Sequence, residues 1–198
     1  MRELKEFIGN TKFVDLKEIF DPIKVTIKDH NNLYMLSFED DANFENKVVR
    51  QCNGTIFEKD TNILVHFSFE KCYDGYSGDK DSYNYDNIGE NYTIEPFFEG
   101  STIRIFYYEE EWKMGTSRRI EADTSYWTSQ KSFKELFIEG IKSTYNDINF
   151  KDYLETLDKN NCYTYLLQHP ENRMLIKTDI ALVYQINEIE SHTLKLEL

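Results

Sequence analysis

The sequence is poor in proline, glycine and cysteine, and it contains no long apolar run. Its 198 residues include three prolines and eight glycines, against 14 phenylalanines, 14 tyrosines and two tryptophans. So few chain breakers beside so many aromatics argue against disorder and favour strands and stacking surfaces. Because no stretch approaches the roughly 18 apolar residues of a membrane span, we expect no membrane segment.

The three cysteines, Cys52, Cys72 and Cys162, are an odd number and show no CxxC or Cys/His spacing. This argues against a disulfide framework and against a zinc site, so we predict reduced thiols and no metal. Residues 1–6 contain no apolar run of the kind that a secretion signal requires. We therefore expect a cytoplasmic protein.

Positive charge is also scarce, because 36 acidic residues outnumber 23 basic ones and leave a net charge of −13. A protein that grips long nucleic acids through their phosphates usually has the opposite balance. The charge therefore disfavours extended DNA binding and sequence-independent RNA binding. It remains compatible with a small ligand, a nucleic-acid end held by a few contacts, or a protein partner.

The hydrophobic pattern predicts a single α+β domain over residues 1–198. We predict a helix within the first twenty residues, a longer one at 132–145 and a short one at 152–157. Strands are predicted at 23–27, 33–38, 54–57, 63–69, 92–98, 102–108, 112–116, 163–168, 174–176 and 181–186. The glycine-containing polar stretch 74–91 is predicted to be a loop within the domain.

Four segments, in order along the chain, resemble the nucleotidyltransferase domain of phage-type RNA ligases. Segment 1 is 49–57, with Asn53-Gly54; segment 2 is 69–74, with Phe69-Glu70-Lys71; segment 3 is 95–106, with Glu99-Gly100-Ser101, and continues in 112–116; segment 4 is 163–173, which ends in Pro170-Glu171-Asn172-Arg173. The corresponding family motifs are Arg-Gly before an apolar strand, Phe-x-Lys-Phe-Phe-Asn, the nucleotidyl-acceptor motif Lys-x-Asp-Gly-Ser, and a strand leading into Pro-x-Asn-Arg. The resemblance implies a partial antiparallel-sheet domain of the ATP-grasp-like ligase type, in a degenerate and truncated viral member.

The same resemblance implies that the family's catalytic groups are missing. The acceptor lysine, which attacks the α-phosphate of ATP, corresponds to Phe97, whose phenyl ring cannot form a phosphorus–nitrogen bond. The arginine of the first motif corresponds to Asn53, and the glutamate before Pro-x-Asn-Arg falls at Leu166 or Gln168. The sequence reaches Leu198 without the family's downstream carboxylate and paired-lysine motifs. We therefore expect no catalytic residue and no cofactor.

Six residues are candidates for binding a nucleotide or an RNA 5′ end: Phe97, Glu99, Lys71, Trp112, Lys113 and Arg118. Phe97 would offer a stacking surface where the family has lysine, and Glu99 survives from the acceptor motif. Aromatic rings with a carboxylate also suit a methylated guanine cap, which is cationic. The plainer explanation is a solvated carboxylate at Glu99 and a charged surface for the basic residues. We expect the pocket between the Glu99-Gly100 strand, the Trp112 strand and the strand at 163–168.

Three functions remain open, in this order. The first is a catalytically inactive RNA-ligase-like domain that binds a nucleotide or an RNA end. The second is a protein-interaction or regulatory subunit in which the nucleotide pocket of the ligase family is filled. The third is an active nucleotidyltransferase that uses another lysine or motifs supplied by a partner chain.

Overall fold

The computed structural model describes residues 1–72, 98–172 and 177–190. Within these ranges the chain forms two four-stranded antiparallel sheets and five α-helices, which confirms the predicted α+β class. The predicted loop 74–91, the strand 174–176 and all but the last residue of the strand 92–98 lie outside the described residues. Phe97 and Arg173 lie outside them as well.

Each sheet is built from neighbouring strands that run antiparallel. The first sheet has the order β1-β2-β3-β4, and these strands are Val25–His30, Leu33–Phe38, Asn53–Glu58 and Leu64–His66. The second sheet has the order β6-β5-β7-β8, in which β5 is Ser101–Tyr108, β6 is Glu111–Thr116, β7 is Asn161–Gln168 and β8 is Leu182–Glu190. The helices α1 to α5 are Arg2–Ile8, Leu16–Phe20, Lys47–Gln51, Phe133–Thr144 and Phe150–Glu155.

Three elements differ from the sequence prediction. The first twenty residues form two helices instead of one, because α1 ends at Gly9, whose φ of 51° breaks the helix. The helix α3 was not predicted; the side chain of Asn46 starts it by accepting a hydrogen bond from the Val48 N–H. The strand β4 is shorter than predicted, and beyond it the Phe69 carbonyl accepts from the Asn53 side chain instead of a strand ladder.

The predicted long helix is confirmed as α4, and its apolar face packs on the second sheet. Ser132 and Glu135 form a reciprocal capping box at its start, in which each side chain accepts from the other residue's backbone N–H. Leu136, Phe137 and Ile141 are buried against strands β5, β7 and β8. No helix among the described residues combines the length and the apolar composition needed to cross a membrane.

A separate apolar cluster covers the first sheet. Helices α1 and α2 contribute Leu4, Leu16 and Phe20, all completely buried, and the sheet contributes Tyr34 and Phe57, whose rings stack with centroids 5.4 Å apart. The two sheets meet at β4 and β5, and this junction brings the family-like segments together.

Candidate functional site

Arg104, in the middle of β5, links segment 3 to segment 1 and to the residue that precedes segment 2. Its guanidinium donates hydrogen bonds to the Asn53 carbonyl at 2.7 Å, to the Ser68 hydroxyl at 3.0 Å and to the Thr116 carbonyl. Asn53 belongs to segment 1, Ser68 directly precedes segment 2, and Thr116 ends segment 3. The side chain is only 1% exposed, and burial lowers the pKa of Arg104 to about 10.

Two other buried polar groups lie in this part of the first sheet. Neither the ring nitrogens of His66 nor the hydroxyl of Ser37 has a hydrogen-bond partner within the described part of the chain. Burial and the nearby positive charge of Arg104 lower the pKa of His66 to about 3, so the ring is neutral. The centre of the junction is therefore filled by the protein's own side chains.

Segment 4 attaches to the acceptor-like end of segment 3. The Asn172 side chain donates to the Ser101 hydroxyl at 2.9 Å, and the Gln168 side chain donates to the Glu99 carbonyl at 2.7 Å. Asn172 ends a short 3₁₀ turn after β7. These two hydrogen bonds join segment 4 to segment 3.

A cleft of about 420 Å³ opens at the other end of β5. It lies between the β1–β2 turn, the β5–β6 turn, the chain after β6, and the first turns of α4 and α5. We call it the Trp112 cleft; its apolar floor and aromatic wall are formed by Leu33, Ile105, Met114, Ile120, Leu154, Tyr108, Trp112 and Phe150. The Trp112 ring is half-buried and makes an edge contact with Tyr107 at 5.3 Å between centroids.

Most charges at the rim of the Trp112 cleft are paired. The ammonium of Lys113 lies 2.7 Å from Glu111, His30 lies 2.8 Å from Glu121, and Lys134 lies 3.7 Å from Asp123. The exposed ammonium of Lys151 also lines the cleft, and in the described part of the chain it forms neither an ion pair nor a hydrogen bond. The cleft therefore combines a flat aromatic wall with one cation available to an anionic ligand.

The predicted ligand-binding residues fall in different places. Trp112 and Lys113 line the Trp112 cleft, whereas Glu99 precedes the opposite end of β5. Trp112 pairs with Tyr107, eight residues beyond Glu99, and a strand rises about 3.3 Å per residue. Glu99 and Trp112 are therefore roughly 25 Å apart and do not face one pocket.

Arg118 and Lys71 lie near segment 1. Arg118 lines a smaller cavity of about 210 Å³ with Asn53 and Gly54, and its guanidinium lies 2.8 Å from Asp40. The ammonium of Lys71 lies 4.9 Å from the centroid of the Phe44 ring. Both cations are thus engaged by the protein itself.

Sequence reasoning missed a polar cluster between α4 and the turn after β7. One ligand atom each from Glu139, His169 and Glu171 lie within 4.8 Å of one another, a spacing that a metal ion could bridge. The Lys131 ammonium lies 2.9 Å from Glu139 and 2.6 Å from Glu171, so a cation of the protein already neutralises these carboxylates. The Glu171 N–H donates to Nδ1 of His169, which leaves Nε2–H to donate to Glu139 at 3.0 Å. The ion pairs and hydrogen bonds of this cluster therefore connect α4 to segment 4.

Two exposed aromatics, Tyr126 and Trp127, were also missed. Their side chains are 58% and 68% exposed in the chain segment between β6 and α4. No local pattern identifies their exposure, because it depends on which elements of the fold pack beside the rings.

No protein-family model matches the chain. The chain is 34% identical over 87 residues to an immediate-early protein ICP-46 homolog of Invertebrate iridescent virus 3, covering 44% of this chain and 19% of that protein. It is 30% identical over 147 residues to the ICP-46 homolog of Invertebrate iridescent virus 6, covering 68% and 32%. It is also 24% identical over 174 residues to a putative bifunctional polynucleotide kinase/RNA ligase of Autographa californica nuclear polyhedrosis virus, covering 83% and 25%.

The chain thus spans about a fifth to a third of the length of these viral relatives. The third similarity supports a distant relationship to a viral RNA ligase.

Proposed function

We propose that this chain is a catalytically inactive RNA-ligase-like domain that binds a nucleotide or the 5′ end of an RNA. The similarity to the baculovirus polynucleotide kinase/RNA ligase supports the ligase-like part. The binding part rests on the Trp112 cleft, whose volume of about 420 Å³ lies in the usual range of small-molecule sites.

The cleft suits a ligand that is flat at one end and anionic at the other. A nucleobase would stack on the indole of Trp112 or the ring of Phe150, an interaction worth about 1–3 kcal/mol per base. The ammonium of Lys151 would then contact a phosphate. The carboxylates of Glu109 and Glu111 also line the cleft, so the methylated and cationic guanine of an RNA cap belongs among the ligands to test.

The proposed loss of catalysis follows from what replaces the family's reactive groups. Phe97 has no nucleophilic amine. The resemblance places the family's glutamate at Leu166 or Gln168, both on β7, and neither side chain is a carboxylate. The Asn53 side chain donates at 3.2 Å to the Phe69 carbonyl, so it serves the chain's own structure where the family has an arginine.

Binding is tested by tryptophan fluorescence. A Trp127→Phe background leaves Trp112 as the reporter, since the sequence has two tryptophans. It is titrated with AMP, ATP, GTP, a capped dinucleotide and a short single-stranded RNA. Saturable quenching by one or more of these ligands is the expected result.

The contact with phosphate is tested by Lys151→Ala. This change should weaken the binding of phosphorylated ligands by about 1 kcal/mol, or roughly fivefold in affinity. Lys142→Ala is the matched control, because Lys142 is also exposed but lies on α4 outside the cleft. If no ligand of the panel binds at high micromolar concentrations of folded protein, the proposal fails. The protein-interaction function would then take its place.

A further inference from the structure

Tyr126 and Trp127 present two consecutive rings to solvent. They are 58% and 68% exposed, so little of their apolar surface contributes to folding. Aromatic side chains of this size are normally buried or used in recognition. A packing role within the described part of the chain therefore does not explain the pair.

The backbone on both sides of the pair is held by hydrogen bonds. On one side, the Ser125 hydroxyl donates to the Glu121 carbonyl at 2.6 Å, and the Phe133 N–H donates to the Ser125 carbonyl at 2.9 Å. On the other side, the Thr128 hydroxyl donates to the Glu171 carbonyl at 2.8 Å. Because the backbone on both sides is already held, a ligand that stacks on the rings pays little backbone entropy.

The pair lies between the Trp112 cleft and segment 4. Asp123 lines the cleft and is three residues before Tyr126, which is at most about 11 Å of extended chain. Thr128, directly after Trp127, is bonded to the turn whose Asn172 contacts Ser101. A strand that runs from the cleft to segment 4 along this stretch of the chain would come within reach of these rings.

We propose that Tyr126 and Trp127 form a stacking platform for unpaired bases of an RNA strand whose end occupies the Trp112 cleft; this rests on the proposed function. Stacking uses ring faces, so it suits an acidic protein better than tracking of phosphates does. Arg119, which is exposed and forms no ion pair in the described residues, lines a small cavity with Thr124 and offers one phosphate contact.

The platform is tested with 5′-phosphorylated single-stranded RNAs of two to eight nucleotides, the duplexes of the same length, and AMP. Affinity should rise with the length of the single strand, whereas duplexes, whose ring faces are already stacked, should bind weakly. Trp127→Ala should lower the affinity for the longer single strands roughly tenfold and leave the affinity for AMP unchanged. Trp127→Phe should retain most of the affinity because it keeps a ring.

The side chains of the platform are exposed, so these variants are expected to fold, which circular dichroism will confirm. Val14→Ala, at a position 77% exposed on the first part of the chain, is the control. Equal affinity for AMP and the longer strands, or unchanged RNA binding in Trp127→Ala, would overturn the platform while leaving the cleft proposal intact. Quenching of Trp127 by single strands in a Trp112→Phe background, with no binding of any mononucleotide or of the capped dinucleotide, would show stacking on the rings but refute a strand end in the Trp112 cleft.

Discussion

The guanidinium of Arg104 lies directly against the backbone of Gly54. A β-carbon at Gly54 would lie 2.6 Å from Cζ of Arg104, a distance that real β-carbons do not reach. Gly54 also has a φ of 68°, in the left-handed region that favours glycine. The glycine of segment 1 is thus required both by its own backbone and by the buried cation beside it.

Gly54→Ala should therefore lower the free energy of unfolding more than Gly9→Ala does. Both glycines have positive φ, which costs a substituted residue about 1–3 kcal/mol. Only Gly54 adds a clash, because a β-carbon at Gly9 would have its nearest neighbour at 3.6 Å. We expect this overpacking to lower the free energy of unfolding of Gly54→Ala by roughly a further 1–3 kcal/mol, as measured by urea denaturation. Equal losses in the two variants would mean that Arg104 moves aside freely.

Phe137→Ala should strongly destabilise the second sheet and α4. Phe137 is completely buried, and its ring contacts Tyr165 and Phe150 with centroids 5.2 and 6.2 Å away. Removing a buried phenyl ring costs about 3–5 kcal/mol, a large share of the stability of one domain. Thermal and urea denaturation should show this loss, while the exposed Val14→Ala should stay within about 0.5 kcal/mol of the parent. Melting of Phe137→Ala at the parent temperature would show that the helix does not pack on the sheet.

The local pattern of the sequence predicts α4 well, because its apolar spacing and the capping residues Ser132 and Glu135 lie within one short segment. The strands β2, β5, β6 and β7 are also predicted well, because the apolar pattern of each lies within one short segment. The helix α3 has only five residues, too few for the periodicity to stand out, and the Asn46 cap is its main signal.

The arrangement of the candidate site depends on contacts between distant residues. Arg104 bonds to Asn53 and Ser68, which are 51 and 36 positions away in sequence, and no local pattern specifies such a convergence. The expectation that Glu99 and Trp112 share a pocket overlooked that a straight eight-residue strand separates them. Exposure of Trp127 is equally non-local, since it depends on which elements pack beside the ring.

The neutral, buried His66 should make stability depend on pH. Its folded pKa of about 3 lies below the ordinary value of 6.5, so between these values the unfolded chain binds a proton that the folded chain does not. Stability should therefore fall as pH is lowered from 7 toward 4, with a slope of up to about 1.4 kcal/mol per pH unit.

His66→Leu should reduce this slope. The comparison is made between pH 5 and 7, because carboxylates with lowered pKa values, such as Glu139, act in the same direction at lower pH. His30→Asn, which removes a half-buried histidine at the surface, is the control. An unchanged slope in His66→Leu would mean that the folded protein protonates His66 with an ordinary pKa.

The chain should not attach a nucleotide to itself. In the family's reaction, the lysine amine attacks the α-phosphorus, a phosphorus–nitrogen bond forms, the bond to the β-phosphate oxygen breaks, and pyrophosphate leaves. Phe97 provides no such amine. Incubation with α-labelled ATP or GTP and a divalent metal should therefore leave no label on the denatured protein.

Phe97→Lys alone should also remain unlabelled, because Asn53 still provides no cation, and neither Leu166 nor Gln168 provides the carboxylate, that the family places beside the phosphates. The competing possibility is a different lysine, and the exposed Lys151 of the Trp112 cleft is the one to examine. A stoichiometric label that is stable to alkali, released by acid and abolished by Lys151→Ala would identify an active nucleotidyltransferase with a relocated nucleophile. Lys142→Ala, on α4 and outside the cleft, should leave any such label unchanged.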